Sequence, residues 1–140
     1  MTQPLAQVLY TAHTRTTGGR EGTGSTSDGA LNVKLSTPGA NQPGTNPEQL
    51  FGVGYSACFI GAMQLASRKL GIKFPGHTAV DASVSLGKTS ADAYALAVTL
   101  RVDLPGLAAD QKQQLVDTAH QTCPYSAAIR NNVEVTFIID

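Results

Sequence analysis

Charged residues are scarce in this sequence, and those that occur are balanced in sign. Only 14% of the 140 residues are charged, whereas a typical soluble domain has about 25%. Ten basic residues match ten acidic ones, and the basic residues form no cluster. This balance argues against nucleic acid or an anionic membrane as the main partner. The low charge also favours a surface that is partly covered by a second copy of the chain.

The sequence also lacks a recognisable signal for export or membrane insertion. Its first residues do not combine a basic start with an apolar stretch, so we predict no secretory signal. The apolar segment Leu50–Ala66 approaches the length of the shortest membrane spans, but glycine, serine and glutamine interrupt it. We therefore expect a buried helix, no membrane partner and a cytoplasmic protein. The length of the chain predicts a single domain, residues 1–140.

Only two cysteines occur, Cys58 and Cys123, and they are 65 residues apart. Without an export signal, a structural disulfide is not the expected use of two thiols. Redox chemistry, metal binding and packing in the core all stay open. For Cys58 alone, a small buried side chain is favoured by about two to one over a reactive thiolate. A reactive thiolate needs a nearby cation, because the pKa of a free thiol is about 8.5.

The hydrophobic pattern predicts an α+β fold with helices on a mostly antiparallel sheet. A long helix begins at Pro47, which suits the first helical position, and ends near Leu70, before Gly71. It is apolar nearly all round, so we expect it to be central and packed on both sides. The remaining elements are predicted as strands Gln7–Arg15, Leu31–Leu35, Thr78–Lys88, Ala93–Asp103 and Val133–Ile139, and as helical segments Ala108–Gln121 and Tyr125–Arg130.

Arg20 is the candidate cation for Cys58, although a solvated surface charge is the alternative. It lies in the glycine-rich segment Gly18–Gly24, which we interpret as a mobile turn that can fold inward. A buried arginine needs an acidic partner, and Glu48 is the candidate. Glu48 precedes Cys58 by ten residues, or about 15 Å along a straight helix. A shared site therefore requires a break in the helix, a long arginine or a second subunit.

A metal site is the weaker alternative for these residues. His120 and Cys123 are three residues apart, and with Cys58 they offer three possible ligands. Structural zinc sites usually have four ligands and often a Cys-x-x-Cys pair, so we predict no metal. We expect no bound cofactor either. Pro124 limits the preceding helix. If Cys123 caps the segment that follows, the positive helix end favours its ionisation.

Six segments, in the same order along the chain, resemble the organic hydroperoxide resistance family, a branch of a larger group that includes the osmotically inducible proteins. They are Thr17–Gly22, Ser27–Gly29, Thr45–Phe51, Gly54–Phe59, Leu104–Leu107 and His120–Ser126. Each segment is weak evidence by itself, but six in order are specific. The osmotically inducible branch lacks the Gly-Gly-Arg turn and the Cys-Pro-Tyr-Ser segment, so the first branch is favoured.

This resemblance implies a thiol-dependent peroxidase that reduces organic hydroperoxides and forms an intertwined homodimer with two sites at the subunit interface. By position, Cys58 corresponds to the peroxidatic cysteine and Cys123 to the resolving cysteine, and the two form a disulfide. Arg20 corresponds to the catalytic arginine that stabilises the thiolate and the peroxide, and Glu48 to its carboxylate partner. The implied external reductant is a dihydrolipoyl group on a lipoylated carrier protein.

Several apolar residues are candidates for a wall that binds the alkyl group of the peroxide, although core packing is the safer interpretation of each. They are Phe51, Phe59, Ile60, Met63 and Ile129. After Cys-Pro-Tyr-Ser the family pattern is Asn-Ala-Thr-Arg-Gly-Asn, whereas residues 127–132 are Ala-Ala-Ile-Arg-Asn-Asn, which makes the side near Cys123 more apolar. The alternatives are a peroxidase of the osmotically inducible type with broader specificity and a non-catalytic redox sensor.

Overall fold

The computed structural model describes residues 2–140, which form helices and two small sheets. The described chain divides into two compact units, one ending at Pro47 and one running from Glu48 to Asp140. Each unit has its own three-stranded sheet. The predicted α+β class is confirmed, whereas the single domain and the intertwined homodimer stay predictions.

The first unit contains an antiparallel sheet of three short strands. In spatial order these are β1 (Thr14–Thr17), β2 (Thr23–Thr26) and β3 (Asn32–Lys34). The strand predicted at Gln7–Arg15 is therefore wrong over residues 7–13. Leu9 and Tyr10 have the right composition for a strand but are 87% and 82% exposed. Strand propensity reflects the fit of a side chain to a half-buried sheet surface, and composition alone does not supply that surface.

A tight turn connects β1 to β2 and carries Arg20. It contains one 3₁₀ turn, Gly19–Glu21. Gly22 approaches the preceding strand so closely that a Cβ atom there would lie 1.7 Å from the carbonyl oxygen of Thr17. The glycine at this position is therefore required to close the turn, which is a different role from the mobility predicted for the segment. Arg20 is an exposed residue of this turn.

The second unit combines one long helix with a sheet and two shorter helices. In chain order these are α1 (Pro47–Leu70), β4 (Ala79–Lys88), β5 (Tyr94–Asp103), α2 (Ala109–Thr122), α3 (Pro124–Ile129) and β6 (Glu134–Ile139). The middle strand β5 pairs antiparallel with β4 and parallel with β6. Because parallel neighbours need a crossover connection, α2 and α3 link β5 to β6. These bounds closely follow the sequence prediction.

The core of the second unit is built from α1, α2 and β5. Val98, Leu100 and Val102 alternate along β5 and are at most 2% exposed, as the two-residue period of a strand requires. The helices contribute buried side chains to the same cluster, among them Tyr55, Phe59, Met63, Leu115 and Val116. This core determines where α1 and α2 present the residues of the candidate site.

Within one chain, α1 buries a single stripe and leaves its other side exposed. The buried residues follow the three- and four-residue spacing of one helix face and include Tyr55, Phe59, Ala62, Met63 and Ala66. Val53 and Leu65 are 73% and 63% exposed, so the predicted packing on both sides is not met by this chain. Length and composition alone would let α1 cross a membrane, but the buried stripe belongs to the core.

Gly71 follows α1 with a left-handed backbone, φ 69°, as predicted for the residue that ends the helix. Gly71→Ala should lower the free energy of unfolding by about 1 kcal/mol, because a Cβ is unfavourable in this conformation. Gly61→Ala is the matched change inside the same helix. Its methyl group meets no atom of the described chain within 4 Å, and alanine favours helix by about 1 kcal/mol. Urea unfolding should show midpoint shifts of opposite sign, and shifts of the same sign would contradict this account.

Candidate functional site

The structure brings the two cysteines together. Cys58, on α1, is half-buried, and Cys123, between α2 and α3, is fully buried. Both are free thiols, and their sulfur atoms are 3.4 Å apart. A disulfide bond is about 2.05 Å long, so the sulfurs need to approach by roughly 1.4 Å to form one. The pair is therefore arranged for interconversion between a dithiol and a disulfide with little movement.

The local sequence places Cys123 at a break between two helices. A residue before proline avoids the helical conformation, and Cys123, which precedes Pro124, has extended angles of φ −66° and ψ 124°. Its backbone N–H ends α2 by donating to the carbonyl of Ala119 at 2.7 Å. Its carbonyl begins α3 by accepting from the N–H of Ala127 at 2.9 Å. Cys123 is therefore the N-terminal cap residue of α3, and its sulfur contacts Cys58.

Burial raises the pKa of the Cys58 thiol above its ordinary value. A hydrogen bond from the backbone N–H of Tyr125 lowers this pKa. The neighbouring Cys123 raises it, through the hydrogen bond between the two sulfurs and through the repulsion between two adjacent thiolates. The net direction is upward, so burial outweighs the amide. A Cys58 thiolate at neutral pH therefore requires added positive charge.

A chain of hydrogen bonds runs through three side chains near the sulfurs. The hydroxyl of Ser126 lies 2.6 Å from the hydroxyl of Tyr55 and 2.9 Å from Nδ1 of His120. Ser126 and Tyr55 are fully buried, and burial raises the pKa of Tyr55, so its hydroxyl keeps its proton. Throughout residues 2–140, every buried side-chain nitrogen or oxygen has a hydrogen-bond partner.

His120 links this chain of hydrogen bonds to the far end of α3. Arg130, which follows α3, donates a hydrogen bond to the backbone carbonyl of His120. The imidazole packs edge-on against Phe137, with ring centres 5.0 Å apart. Burial lowers the pKa of His120 and the Arg130 guanidinium lowers it further, whereas Asp117 raises it. His120 is therefore neutral at neutral pH, and one of its ring nitrogens can accept a hydrogen bond.

Aromatic rings pack beside the thiols, where α3 meets α1. The ring centres of Phe51 and Tyr125 are 6.0 Å apart. Of the five residues predicted for an alkyl-binding wall, Phe59 and Met63 have no exposed surface. The other three are partly exposed and pack against the edge of the core: Phe51, Ile60 and Ile129. A substrate can contact only exposed surface, so these three residues are better placed than Phe59 and Met63 to bind an alkyl group. The alkyl-binding wall itself stays a prediction.

Arg20 and Glu48 occupy separate elements, and their roles stay predictions. Arg20 lies in the 3₁₀ turn between β1 and β2. Glu48 is half-buried in the first turn of α1, where a negative charge suits the positive end of the helix. Because α1 is continuous from Pro47 to Leu70, a break in the helix cannot bring Glu48 to Cys58. A long arginine and a second subunit remain as ways to complete a shared site.

The residues that sequence analysis does not single out are Tyr55 and Ser126. A signal for them exists, since a hydroxyl in a buried, apolar stretch needs a hydrogen-bond partner. His120, offered by the sequence as a possible metal ligand, contacts Ser126. In the part of the chain that the structure describes, no three His, Cys, Asp or Glu side chains lie close enough to hold a metal ion.

Comparisons with known proteins extend over nearly the whole chain. The OsmC-like protein family model matches residues 31–138. An organic hydroperoxide resistance protein of Xanthomonas axonopodis pv. citri is 50% identical over 137 residues, which are 95% of this chain and 96% of that protein. The organic hydroperoxide resistance protein OhrA of Bacillus subtilis is 44% identical over 138 residues, which are 94% of this chain and 96% of that protein.

Solved structures show the same likeness. The crystal structure of the organic hydroperoxide resistance protein OhrB of Bacillus subtilis has a TM-score of 0.89 at 39% identity, covering 95% of this chain and 100% of that one. A second crystal structure is that of an organic hydroperoxide resistance protein OsmC from Legionella pneumophila. It has a TM-score of 0.88 at 37% identity, covering 96% of this chain and 99% of that one. The likeness is therefore not confined to the residues around the cysteines.

The neutral state of His120 should make the stability of the protein depend on pH. Its pKa in the folded chain is lower than the ordinary value of 6.5, so the unfolded chain binds more protons as the pH falls through that value. The free energy of unfolding should therefore decrease from about pH 7 to about pH 5. His120→Asn keeps an acceptor for Ser126 but cannot take up a proton, so it should lose part of this dependence. Urea unfolding of both proteins at several pH values measures it, and an unchanged pH slope would contradict a neutral His120.

Proposed function

The chain belongs to the organic hydroperoxide resistance proteins, a branch of the OsmC-like family, and from this we propose that it is a thiol-dependent peroxidase that reduces organic hydroperoxides to alcohols. The observation that carries the proposal is the 3.4 Å contact between the sulfurs of Cys58 and Cys123. An oxidised thiol with a second thiol beside it forms a reversible disulfide, whereas an isolated one proceeds to irreversible products. The name of a relative at 50% identity points to organic hydroperoxides as the substrate class.

In the proposed reaction, the Cys58 thiolate attacks the terminal oxygen of the hydroperoxide. The O–O bond breaks, the alkoxide leaves and takes up the proton that Cys58 had released, and Cys58 becomes a sulfenic acid. The Cys123 thiol then attacks the Cys58 sulfur, which forms the disulfide and releases water. A dithiol reduces the disulfide and becomes a disulfide in turn. We assign this role to a dihydrolipoyl group on a lipoylated carrier protein in the cytoplasm, with no cofactor bound by the peroxidase.

Arg20 is proposed to supply positive charge to Cys58. Burial raises the pKa of Cys58, and a guanidinium beside the sulfur favours the charged form and lowers that pKa. The fork of N–H donors on an arginine also suits the two oxygens of a peroxide. Glu48 is proposed to orient Arg20 as its carboxylate partner.

The wild-type protein should consume tert-butyl hydroperoxide faster than hydrogen peroxide when dihydrolipoamide is the reductant. Cys58→Ser should abolish this activity, because the nucleophile is lost. Cys123→Ser is the matched variant: without reductant it should still reduce about one equivalent of peroxide, and excess peroxide should then drive Cys58 to the sulfinic acid.

Arg20→Lys keeps the positive charge but loses the fork of N–H donors, so its turnover should fall. Steady-state kinetics and intact-protein mass spectrometry give these results.

Three outcomes would move the assignment elsewhere. A Cys58–Cys123 disulfide that forms without turnover would favour a redox sensor. Equal rates with both peroxides would favour the osmotically inducible type of peroxidase. Full activity in Cys58→Ser would exclude Cys58 as the nucleophile.

We also propose that two copies of the chain form an intertwined homodimer. Large apolar side chains are exposed in each unit, including Leu9 and Tyr10 in the first and Val53 and Leu65 on α1. Exposed apolar side chains are typical of an interface where they form a contiguous patch, and only 14% of the residues are charged. A partner subunit would also offer a way to complete the site around Cys58.

Sedimentation equilibrium should give a mass of about twice 14.6 kDa for the wild-type protein. Leu65→Glu should shift this mass toward that of the monomer, because it places a charge in the apolar surface of α1. Gln114→Glu adds the same charge on the exposed side of α2 and should leave the dimer intact. A wild-type monomer, or dissociation caused equally by both variants, would contradict the proposed interface.

A further inference from the structure

One buried hydroxyl connects the three helices that surround the two sulfurs. Ser126, on α3, is within hydrogen-bond distance of Tyr55 on α1 and of His120 on α2. Tyr55 precedes Cys58 by three residues, and His120 precedes Cys123 by three residues. Each end of the hydrogen-bonded chain therefore lies about one helical turn from one of the two sulfurs.

One assignment of donors and acceptors gives both hydroxyl hydrogens of these bonds an acceptor. Ser126 has one hydroxyl hydrogen and two lone pairs, and it lies between two polar neighbours. When Tyr55 donates to Ser126 and Ser126 donates to Nδ1 of a neutral His120, each hydroxyl hydrogen has an acceptor. Removing the central hydroxyl would leave the buried Tyr55 hydroxyl without this partner, which is costly at a fully buried position.

We propose that Ser126 is a positioning residue for the thiol pair. By joining α3 to α1 and α2, its hydroxyl keeps the Cys123 sulfur 3.4 Å from Cys58. The same bonds keep the first turn of α3 in place, so that the backbone N–H of Tyr125 reaches the Cys58 sulfur. Ser126 acts through the backbone of α3 and does not touch the reacting atoms. Where it concerns disulfide formation, this inference rests on the proposed function.

The equilibrium with glutathione measures how well the two thiols are positioned. The Cys58 or Cys123 thiolate attacks glutathione disulfide and releases one glutathione, and the second cysteine then displaces the other. Two electrons and two protons pass from the protein to glutathione, and the protein gains one disulfide bond. The equilibrium constant of this exchange is an effective concentration, which is high when the two sulfurs are held together.

Ser126→Ala should lower this effective concentration by roughly tenfold, the size expected for the loss of a buried hydrogen bond. Ser67→Ala is the matched control: Ser67 is only 4% exposed, lies on α1, and donates to the carbonyl of Gln64 at 2.6 Å, away from the hydroxyl chain. It should leave the effective concentration unchanged. An unchanged value in Ser126→Ala, or an equal fall in Ser67→Ala, would overturn the inference.

Tyr55→Phe tests the chain from its other end and keeps the aromatic ring. It should lower the effective concentration less than Ser126→Ala does, because Ser126 can still donate to His120. The double variant Tyr55→Phe/Ser126→Ala should be no worse than Ser126→Ala alone, since the bond between the two hydroxyls is already absent. Additive losses would mean that the two hydroxyls act independently, and would overturn the proposal that they act through one set of hydrogen bonds. If Ser126→Ala does not fold, a value unchanged in Tyr55→Phe would also overturn it.

A readout on the reduced protein separates this inference from the proposed function. In a Cys123→Ser background, the pH dependence of Cys58 alkylation by iodoacetamide gives its pKa without peroxide and without a disulfide. Adding Ser126→Ala should move the midpoint to higher pH, because the amide of Tyr125 is displaced from the sulfur, and an unmoved midpoint would overturn the inference. If the midpoint shifts but the protein never consumes peroxide, the positioning role of Ser126 stands and the proposed peroxidase function is wrong.

Discussion

The break that Pro124 introduces between α2 and α3 is the constraint on which the thiol pair depends. Proline removes a backbone donor and forces the preceding residue into an extended conformation. One residue, Cys123, can therefore end one helix and begin the next. A continuous helix through this point would carry Cys123 past the side of α1 at a different angle. The second unit then needs only its core and the Ser126 hydrogen bonds to keep α1 opposite this break.

The burial that holds the sulfurs together also opposes the ionisation that thiol chemistry requires. Packing among apolar side chains raises the pKa of Cys58, and a single amide from α3 does not reverse the direction. The second unit therefore supplies the geometry of the two thiols, whereas the charge must come from a cation. An arginine suits this role because its guanidinium stays ionised when it is partly desolvated.

Local signals in the sequence are enough to predict the helices and strands of the second unit, but they do not predict its long-range contacts. Pro47 and Gly71 mark the ends of α1 because first-position proline and left-handed glycine act within one turn. The residues around 7–13 have the composition of a strand, but pairing depends on a partner that the segment does not encode. The bond between Tyr55 and Ser126 spans 71 residues, so no periodicity reveals it. The resemblance to a known family predicts the pairing of Cys58 with Cys123, whereas the spacing of the two cysteines alone is equally compatible with metal binding and core packing.

The separation of the two cysteines along the chain also has a consequence for folding. Their contact closes a loop of 65 residues, which is nearly half of the chain. A disulfide across such a loop restricts the unfolded chain and, in the chain-entropy model, stabilises the folded state by roughly 4 kcal/mol. Much of that gain arises in the denatured ensemble, whatever contacts the native bond makes. The oxidised and reduced forms would then differ in resistance to heat and proteolysis. Oxidation of the two sulfur atoms would thereby lengthen the time for which the whole protein survives.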